Sequence, residues 1–570
     1  MLQSLHMQNH SELLQRLLTG RGIKTEAETE KFLNTDYQRD FHDPFLVKDM
    51  EKACVRIFEA VEGNEKIMIY SDYDVDGIPG AVILHDLFEK IGFKNFEIYI
   101  PQRNSEGYGL NLEAIREFAA EKVQLLITVD LGITATNEIA QAKAEEIDTV
   151  VLDHHLAGER LPHAYAILNP KVDNSAKNGT NYPEKMLCAA GVVFKLIQAF
   201  LKKYGQYYKI REGWEKWLLD MVGLATLSDM VPLLGENRTM ASFGLKVLRK
   251  SPRVGLQKLL AQLRIEQKYL SEDDIGFMIT PRLNAASRMD DPKRAFELLV
   301  TKDEAEAGAL ATHLIKINDD RKIVVASILR EIKKKFQKRE MKEIIVVGNP
   351  TWRIGVLGLI AGKLSDEYRR TVFVWGKDEN ECIKGSCRSD GSISIVELMT
   401  AASDHFSEFG GHELAGGFSV PSDKIHFLEE ALVKSYARLR ELKRPDLKDS
   451  QSPTLEYDIA GNLDLVNMKS WRDIEKLAPF GLGNPKPVFL FPKVAVEKIR
   501  KFGKNGSGEH LEITFSDDKN KKVKGISFFS SQESFTVPLA EGRKVNLLAN
   551  FDLARFRGQE ELRLRIVDIT

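Results

Sequence analysis

The sequence predicts a multidomain α/β protein: a parallel-sheet domain, a long connecting helix, a smaller second α/β domain and a C-terminal β-barrel. Three observations carry this. Strand-like apolar runs alternate with helical ones from about 47 to 170 and again from about 342 to 448, as in parallel sheets with crossover helices. Residues 302–341 contain no proline and a single glycine, Gly308, with apolar residues at helical spacing. From about 452 to 570, short strand-like runs recur at the spacing of a small barrel.

At 570 residues the chain has room for three or four domains. Its 43% apolar and 29% charged residues are ordinary for a soluble globular protein. A net charge of −2 excludes a protein that is basic throughout, so any nucleic-acid surface is a local patch. Cys54, Cys188, Cys382 and Cys387 form no C-x-x-C pair, which argues against a thiolate zinc site and a disulfide framework. The opening Met-Leu-Gln-Ser-Leu-His has no signal-peptide pattern and no run of 18 apolar residues occurs, so a reducing, cytoplasmic compartment is expected.

In chain order, residues 1–45 are expected to be a peripheral helical segment, with Leu13, Leu14, Leu17 and Leu18 at helical spacing and a second short helix over 26–33. Candidate strands follow at 66–70, 96–100, 125–129 and 149–152, with helices near 79–91, 111–121 and 134–145. No G-x-G-x-x-G follows the first strand, so a dinucleotide fingerprint is absent. Instead the first strand runs into Asp72, Asp74 and Asp76 at alternate positions, then Gly77 and Gly80. In an open parallel sheet, ligands bind beyond the carboxyl ends of strands. Three carboxylates crowded there repel one another unless a hard divalent cation neutralises them. Read alone, the stretch is equally a solvated, Asp-rich turn. The other strand ends weigh against that: 125–129 runs into Asp130, 149–152 into Asp153-His154-His155, and 96–100 leads to Arg103 and Glu106-Gly-Tyr-Gly109. Asp229 closes an apolar helical run, Trp214 to Leu227, where an unpaired carboxylate is costly and a metal would partner it.

The set Asp72-Tyr-Asp74-Val-Asp76-Gly, Asp130, Asp153-His154-His155 and Asp229 resembles the four motifs of the DHH phosphoesterase superfamily. The resemblance implies two divalent cations, Mn2+ or Mg2+, and hydrolysis of phosphoanhydride or phosphodiester bonds. It implies Asp74, Asp76, Asp130, His154 and Asp229 as metal ligands, Asp72 as an additional ligand or a base behind them, Asp130 and Asp229 as bridges, His155 facing the scissile phosphate and Asp153 orienting the imidazoles. A histidine common in the family's first motif is Tyr70 here.

Residues 240–300 are expected to be helical around a short turn holding Arg282, Asn284, Ser287 and Arg288. Two guanidinium groups and an amide suit phosphate, and the same stretch also reads as ordinary charged surface. Residues 302–341 form one helix of roughly 60 Å whose basic end is a solvated face. In the second α/β domain, Gly385-Ser386-Cys387-Arg388, Gly410-Gly411-His412 and Gly416-Gly417 are read as ligand-approach segments, with Ser386, Arg388 and His412 contacting phosphate. That ordered set resembles the DHHA1 substrate-binding domain of the superfamily. In the last domain, strands are expected at 488–491, 494–499, 510–515, 523–529, 545–550 and 562–568. Lys486, Lys493, Lys498, Arg500, Lys501 and Lys504 are interleaved with Phe502, Phe515, Phe528, Phe529, Phe551 and Phe556, about half of them core, as in an OB-like single-strand binder.

The expected domains are 1–45 (helical), 46–301 (DHH catalytic, with a helical insert), 302–341 (connecting helix), 342–448 (DHHA1) and 452–570 (OB-like, nucleic-acid binding). This layout resembles superfamily members that degrade single-stranded DNA from the 5′ end in repair and recombination. It implies Arg103, Arg282, Asn284, Arg288, Ser386, Arg388 and His412 as substrate contacts, a passage between the α/β domains admitting one strand, a monomer, and a helicase and single-strand-binding protein as partners. Small-substrate relatives lack a basic barrel, and inactive scaffold relatives lack ligands that are all filled here.

Overall fold

The computed structural model describes residues 10–172, 181–337, 340–378, 380–442, 456–503, 510–556 and 559–570. Lys504 and the side chain of Phe556 lie outside the described residues. The chain forms two units, one of residues 42–231 and 243–449, the other of residues 1–41, 232–242 and 450–570.

In the first of these units, β1 (Ile67–Ser71), β2 (Phe96–Tyr99), β3 (Leu125–Val129), β4 (Asp148–Leu152) and β5 (Ala166–Leu168) form one parallel sheet in the order β2-β1-β3-β4-β5. Every residue of β1 and β3 is buried, as expected of a parallel strand covered on both faces. On one face Met68, Tyr70, Leu126 and Val151 pack with Ile115, Phe118 and Ile139 of the crossover helices. The chain leaves β1 for β2 on one side and returns as β3 on the other. The strand order therefore reverses at β1, and a crevice opens at the carboxyl ends of β1 and β3. β5 was not expected: three residues are too short to signal a strand.

The segment around Arg282 and Arg288 is not a turn. A π-helix, Asp274–Ile279, runs into an α-helix, Thr280–Met289. Pro281 stands in the first helical turn, where its missing N–H costs nothing, so it starts the helix instead of breaking it. The connecting helix spans Glu304–Phe336, 33 residues and about 50 Å, shorter than the forty-residue reading. Lys333, Lys334 and Lys335 fall in its last turn, where cations suit the helix dipole.

A second sheet contains β6 (Ile344–Gly348), β7 (Thr371–Lys377), β8 (Ile383–Arg388), β9 (Glu408–Gly411) and β10 (Ala415–Val420), ordered β6-β7-β8-β10-β9. Only β6 and β7 run parallel. The glycines expected in ligand-approach segments lie within strands, and one has a packing reason: a Cβ on Gly385 would stand 2.1 Å from the Phe418 ring.

In the other unit, β11 (Ile459–Ala460), β12 (Phe489–Phe502), β13 (His510–Ser516), β14 (Lys522–Phe528), β15 (Lys544–Phe556) and β16 (Gln559–Ile569) are ordered β11-β12-β13-β14-β16-β15, and β15 pairs back onto β12. β12 unites the two runs read as separate strands. Pro492 falls at a register shift between Phe491 and Val494, a bulge that accommodates a residue without an N–H. Phe515 and Phe551 are core, whereas Phe528 and Phe529 are exposed. The N-terminal helix Glu12–Gly20 is not peripheral. Leu14, Leu17 and Leu18 are buried in the same core as Phe489, Phe491 and Leu547. Arg238 donates to the carbonyls of Leu477 and Ala478, and Asn484 to those of Leu477 and Pro479, which fixes the Pro479–Pro485 loop.

Candidate metal centre

β1 leads directly into Asp72, and the chain folds back so tightly that a Cβ on Gly77 would stand 2.5 Å from the Asp72 carbonyl oxygen. Asp76 is buried at the start of the Gly77–Ile91 helix. Its two carboxylate oxygens accept from the N–H groups of Ala189 (2.6 Å) and Ala190 (2.9 Å), the first residues of the Ala189–Tyr204 helix. Asp74 accepts from the Asp76 N–H at 2.8 Å. β3 ends on Asp130 at φ 65°, a left-handed conformation uncommon outside glycine and typical of functional sites. Asp72 and Asp130 are each 3% exposed, and an Oδ1 of each accepts no hydrogen bond.

The residues after β4 divide by role. Asp153 is saturated: Oδ1 accepts from the His154 N–H (2.7 Å), the His155 N–H (3.0 Å) and His155 Nδ1 (2.8 Å), and Oδ2 from the Ile133 N–H (2.9 Å). His154 Nδ1 donates to the Leu187 carbonyl at 3.0 Å, so Nε2 carries the free lone pair, 3.3 Å from Asp130 Oδ1 and 3.7 Å from Asp76 Oδ2. Asp229, at the end of the Leu219–Ser228 helix, lies 3.8 Å from His154 Nδ1. Three groups of donors converge: Asp130, His154 and His155; Asp76, His154 and Asp229; and Asp72, Asp74 and Asp130. Within each group the donor atoms lie within 4.8 Å of one another.

Burial, followed by repulsion from neighbouring aspartates, raises Asp72 and Asp130 well above the usual carboxylate range. Burial pushes Asp76 up to about 7 and, with Asp76 and Asp74 alongside, Asp229 up to about 9. Burial and the adjacent His155 lower His154 to about 3, keeping it neutral. Asp153 is buried too, yet its bonds to His155 hold it below its ordinary value. Buried carboxylate oxygens without donors, beside a neutral imidazole tied by its other nitrogen, form a donor set that fits hard divalent cations. Tyr70 takes no part in it. Its hydroxyl donates to the Gly109 carbonyl (2.9 Å) and accepts from Asn111 (3.3 Å), anchoring the loop after β2.

The expected phosphate contacts separate into two sets. Arg103 lies over the Tyr73 ring at 5.0 Å. Burial, with Arg103 and Arg321 nearby, lowers Arg288 to about 9, and Arg388 is lowered by burial and also feels Arg103. Ser386 and Arg388 stand together above Gly358, whose added Cβ would lie 3.6 Å from Ser386 Oγ and 3.2 Å from Arg388 Nη2. The His412 ring stacks on His155 at 5.9 Å and 9°, which brings the second sheet to the metal centre. Arg282 and Asn284 also make bonds to the frame: Arg282 Nη1 donates to the Met278 carbonyl at 2.8 Å while its buried Nε has no partner among the described residues, and Asn284 Oδ1 accepts from the Val75 N–H at 3.1 Å. Sequence reading missed Tyr108, whose hydroxyl donates to the Asp130 carbonyl (3.2 Å) and whose ring faces His155. Its signal was the glycine pair of Gly107-Tyr-Gly109, read as a motif without a role. Asn169 and Lys171, which donate to the carbonyls of His155 and His154, follow a strand too short to recognise.

Fold and site together define a phosphoesterase of the DHH class. The DHH family N-terminal domain matches residues 66–226, the DHHA1 domain 341–438 and the RecJ OB domain 457–568. The chain is 32% identical over 572 residues to the single-stranded-DNA-specific exonuclease RecJ of Bacillus subtilis, spanning 100% of this chain and 69% of that protein. To the Escherichia coli protein of that name it is 28% identical, covering 98% and 95%. The crystal structure of RecJ in complex with Mn2+ from Thermus thermophilus superposes with a TM-score of 0.77 at 25% identity, covering 98% of this chain and 76% of that one. The chain belongs to the RecJ family.

Proposed function

We propose that this protein is a single-stranded-DNA-specific exonuclease that hydrolyses phosphodiester bonds from the 5′ end, using two divalent cations, Mn2+ or Mg2+, and releasing mononucleotides in DNA repair and recombination. The observation that carries the reading is the sharing of ligands. Asp130 belongs to two of the three donor groups and His154 to two, as expected of adjacent cation positions. Asp72, Asp74, Asp76, Asp130, His154 and Asp229 would hold the cations, with Asp130 and Asp229 as the shared ligands. The chemistry supplied there would be an activated water and neutralisation of charge at phosphorus.

The remaining roles fall to the chain's own groups. Asp153 fixes both histidines through their backbone and ring nitrogens. His155, raised by its bond to Asp153, offers a proton to the developing negative charge. Arg103, Arg288, Ser386, Arg388 and His412 seat the terminal 5′-phosphate and the phosphate that follows it. Arg288 and Arg388 are buried and each feels the charge of Arg103, an arrangement that suits an anion among them. In this division of labour 46–301 catalyses, 342–448 seats phosphate and 452–570 holds the strand; the enzyme acts as a monomer, with a helicase and a single-strand-binding protein as partners. Among the described residues no helix is long and apolar enough to cross a membrane.

Digestion of an end-labelled single strand in Mn2+ or Mg2+, with either end blocked, tests the reading. Mononucleotides should appear from the 5′ end only. Release from a 5′-blocked strand, or from a duplex at the same rate, would refute it.

A further inference from the structure

The Gly77–Ile91 helix begins next to Asp76, and the Leu219–Ser228 helix ends next to Asp229. Both aspartates share one donor group with His154. Leading away from that point the two helices run in opposite chain directions, and each carries a second carboxylate, Asp86 on the first and Asp220 on the other. One guanidinium holds both. Arg253 Nη2 donates to Asp86 Oδ2 at 2.6 Å, Nε donates to Asp220 Oδ2 at 2.8 Å, and Nη2 also reaches Asp220 Oδ1 at 3.3 Å. Asp220 is itself fixed by the Ser251 hydroxyl and the Met221 N–H, each at 2.7 Å. Beside this bridge lies a cavity of about 570 Å³ whose walls include Asp86, Trp214, Asp220, Arg253 and Leu299. At that level a planar cation joins the two helices, and its Nη1 also donates to the Leu299 carbonyl at 3.3 Å.

We propose that Arg253 is a positioning residue for the metal centre: by tying the far ends of the two ligand-bearing helices it fixes the separation of Asp76 and Asp229. This rests on the reading of those aspartates as cation ligands. Helices transmit displacement as near-rigid rods, and Asp86 stands about 15 Å along the helix from Asp76. A tilt at the clamped end therefore reappears at the ligand end, where metal–ligand distances tolerate only ~0.2 Å. Lysine cannot substitute, since a point charge does not reproduce a planar fork bonded to two carboxylates.

The test is Mn2+ binding by calorimetry on the full chain, read beside its melting temperature. Arg253→Met and Arg253→Lys should each weaken Mn2+ binding by roughly 10–100-fold, the usual cost of losing a partner that orients ligands. The Mn2+ concentration for half-maximal hydrolysis should rise in parallel, with turnover at saturating Mn2+ largely recovered. Phe373→Leu, in the core of the second sheet, should lower the melting temperature without moving Mn2+ affinity. Wild-type affinity in folded Arg253→Met, or equal weakening in Phe373→Leu, overturns the proposal. If Arg253→Met does not fold, Asp86→Asn, which removes one arm of the bridge, decides between the same outcomes. Asp76→Asn separates this proposal from the reading beneath it: unchanged Mn2+ binding there refutes the metal centre, whereas lost binding there beside normal binding in Arg253→Met refutes only the clamp.

Discussion

Asp130 stands under a heavy electrostatic load at the site. It is buried, left-handed in its backbone, and repelled by Asp76, Asp74 and Asp72. Asp130→Ala should lower hydrolysis on the order of 10³-fold or more, since single preorganised electrostatic groups are worth ~10²–10³. Binding of single strands, measured by fluorescence anisotropy, should survive. Near-normal turnover would remove Asp130 from the ligand set. The raised aspartates also dictate a pH dependence. The ordinary aspartate value is 3.8, while Asp76 stands at about 7 and Asp229 at about 9 in the folded, metal-free chain. Between those values the folded state binds more protons than the unfolded one. The stability they confer is fully present below the unfolded value and is lost as pH rises through the folded values. Cation binding releases those protons, so the melting-temperature gain from Mn2+ should widen as pH rises from about 5 to about 9. A gain independent of pH would contradict this.

Among the elements, the strand ends were the legible part. Asp72, Asp130 and Asp153 each directly follow a strand of strong apolar character, and a parallel sheet brings such ends to one edge. What stayed hidden depended on tertiary placement. Tyr70 looked like a displaced ligand because its position matched one, yet its ring lies in the sheet core and its hydroxyl points to Gly109. The bond from Arg282 Nη1 to the Met278 carbonyl depends on the π-helix before it, which spacing does not record. Glycines announced close approach without saying to what: Gly385 yields to the Phe418 ring, while Gly358 makes room for Ser386 and Arg388. That last pair gives a prediction for the Ile354–Tyr368 helix beneath them. Arg388→Ala should cut the preference for a 5′-phosphorylated over a 5′-hydroxyl strand by about 10–100-fold, the equivalent of one or two charge-assisted hydrogen bonds. Gly358→Val should act in the same direction with less effect. Equal rates on both strands in the unaltered protein would dissolve the phosphate assignment.

For the whole molecule, the N-terminal helix changes how the C-terminal domain can be tested. Leu14, Leu17 and Leu18 complete a core built mainly by residues beyond 456, so deleting 452–570 would expose that helix as well as remove the strands. Surface substitution is the cleaner route. Lys498, Arg500 and Lys501 are exposed on β12. Replacing all three with serine should weaken single-strand binding and flatten its salt dependence by ~0.7 per lost phosphate contact in the log–log slope. An unchanged slope would assign strand binding elsewhere. The domain order was readable from composition and period alone; the partnership of the first and last segments was not, because nothing local records which core an amphipathic helix completes.

The left-handed turn at Asp130 and the order reversal at β1 have a consequence for how the enzyme comes into being. The ligands proposed for the cations are scattered from position 72 to position 229, and those at the strand ends meet only when β1, β3 and β4 lie side by side. A chain still emerging from the ribosome, short of Asp229, has no complete cage to load. On that reading, hydrolytic competence is deferred until the Leu219–Ser228 helix delivers Asp229 to the strand ends.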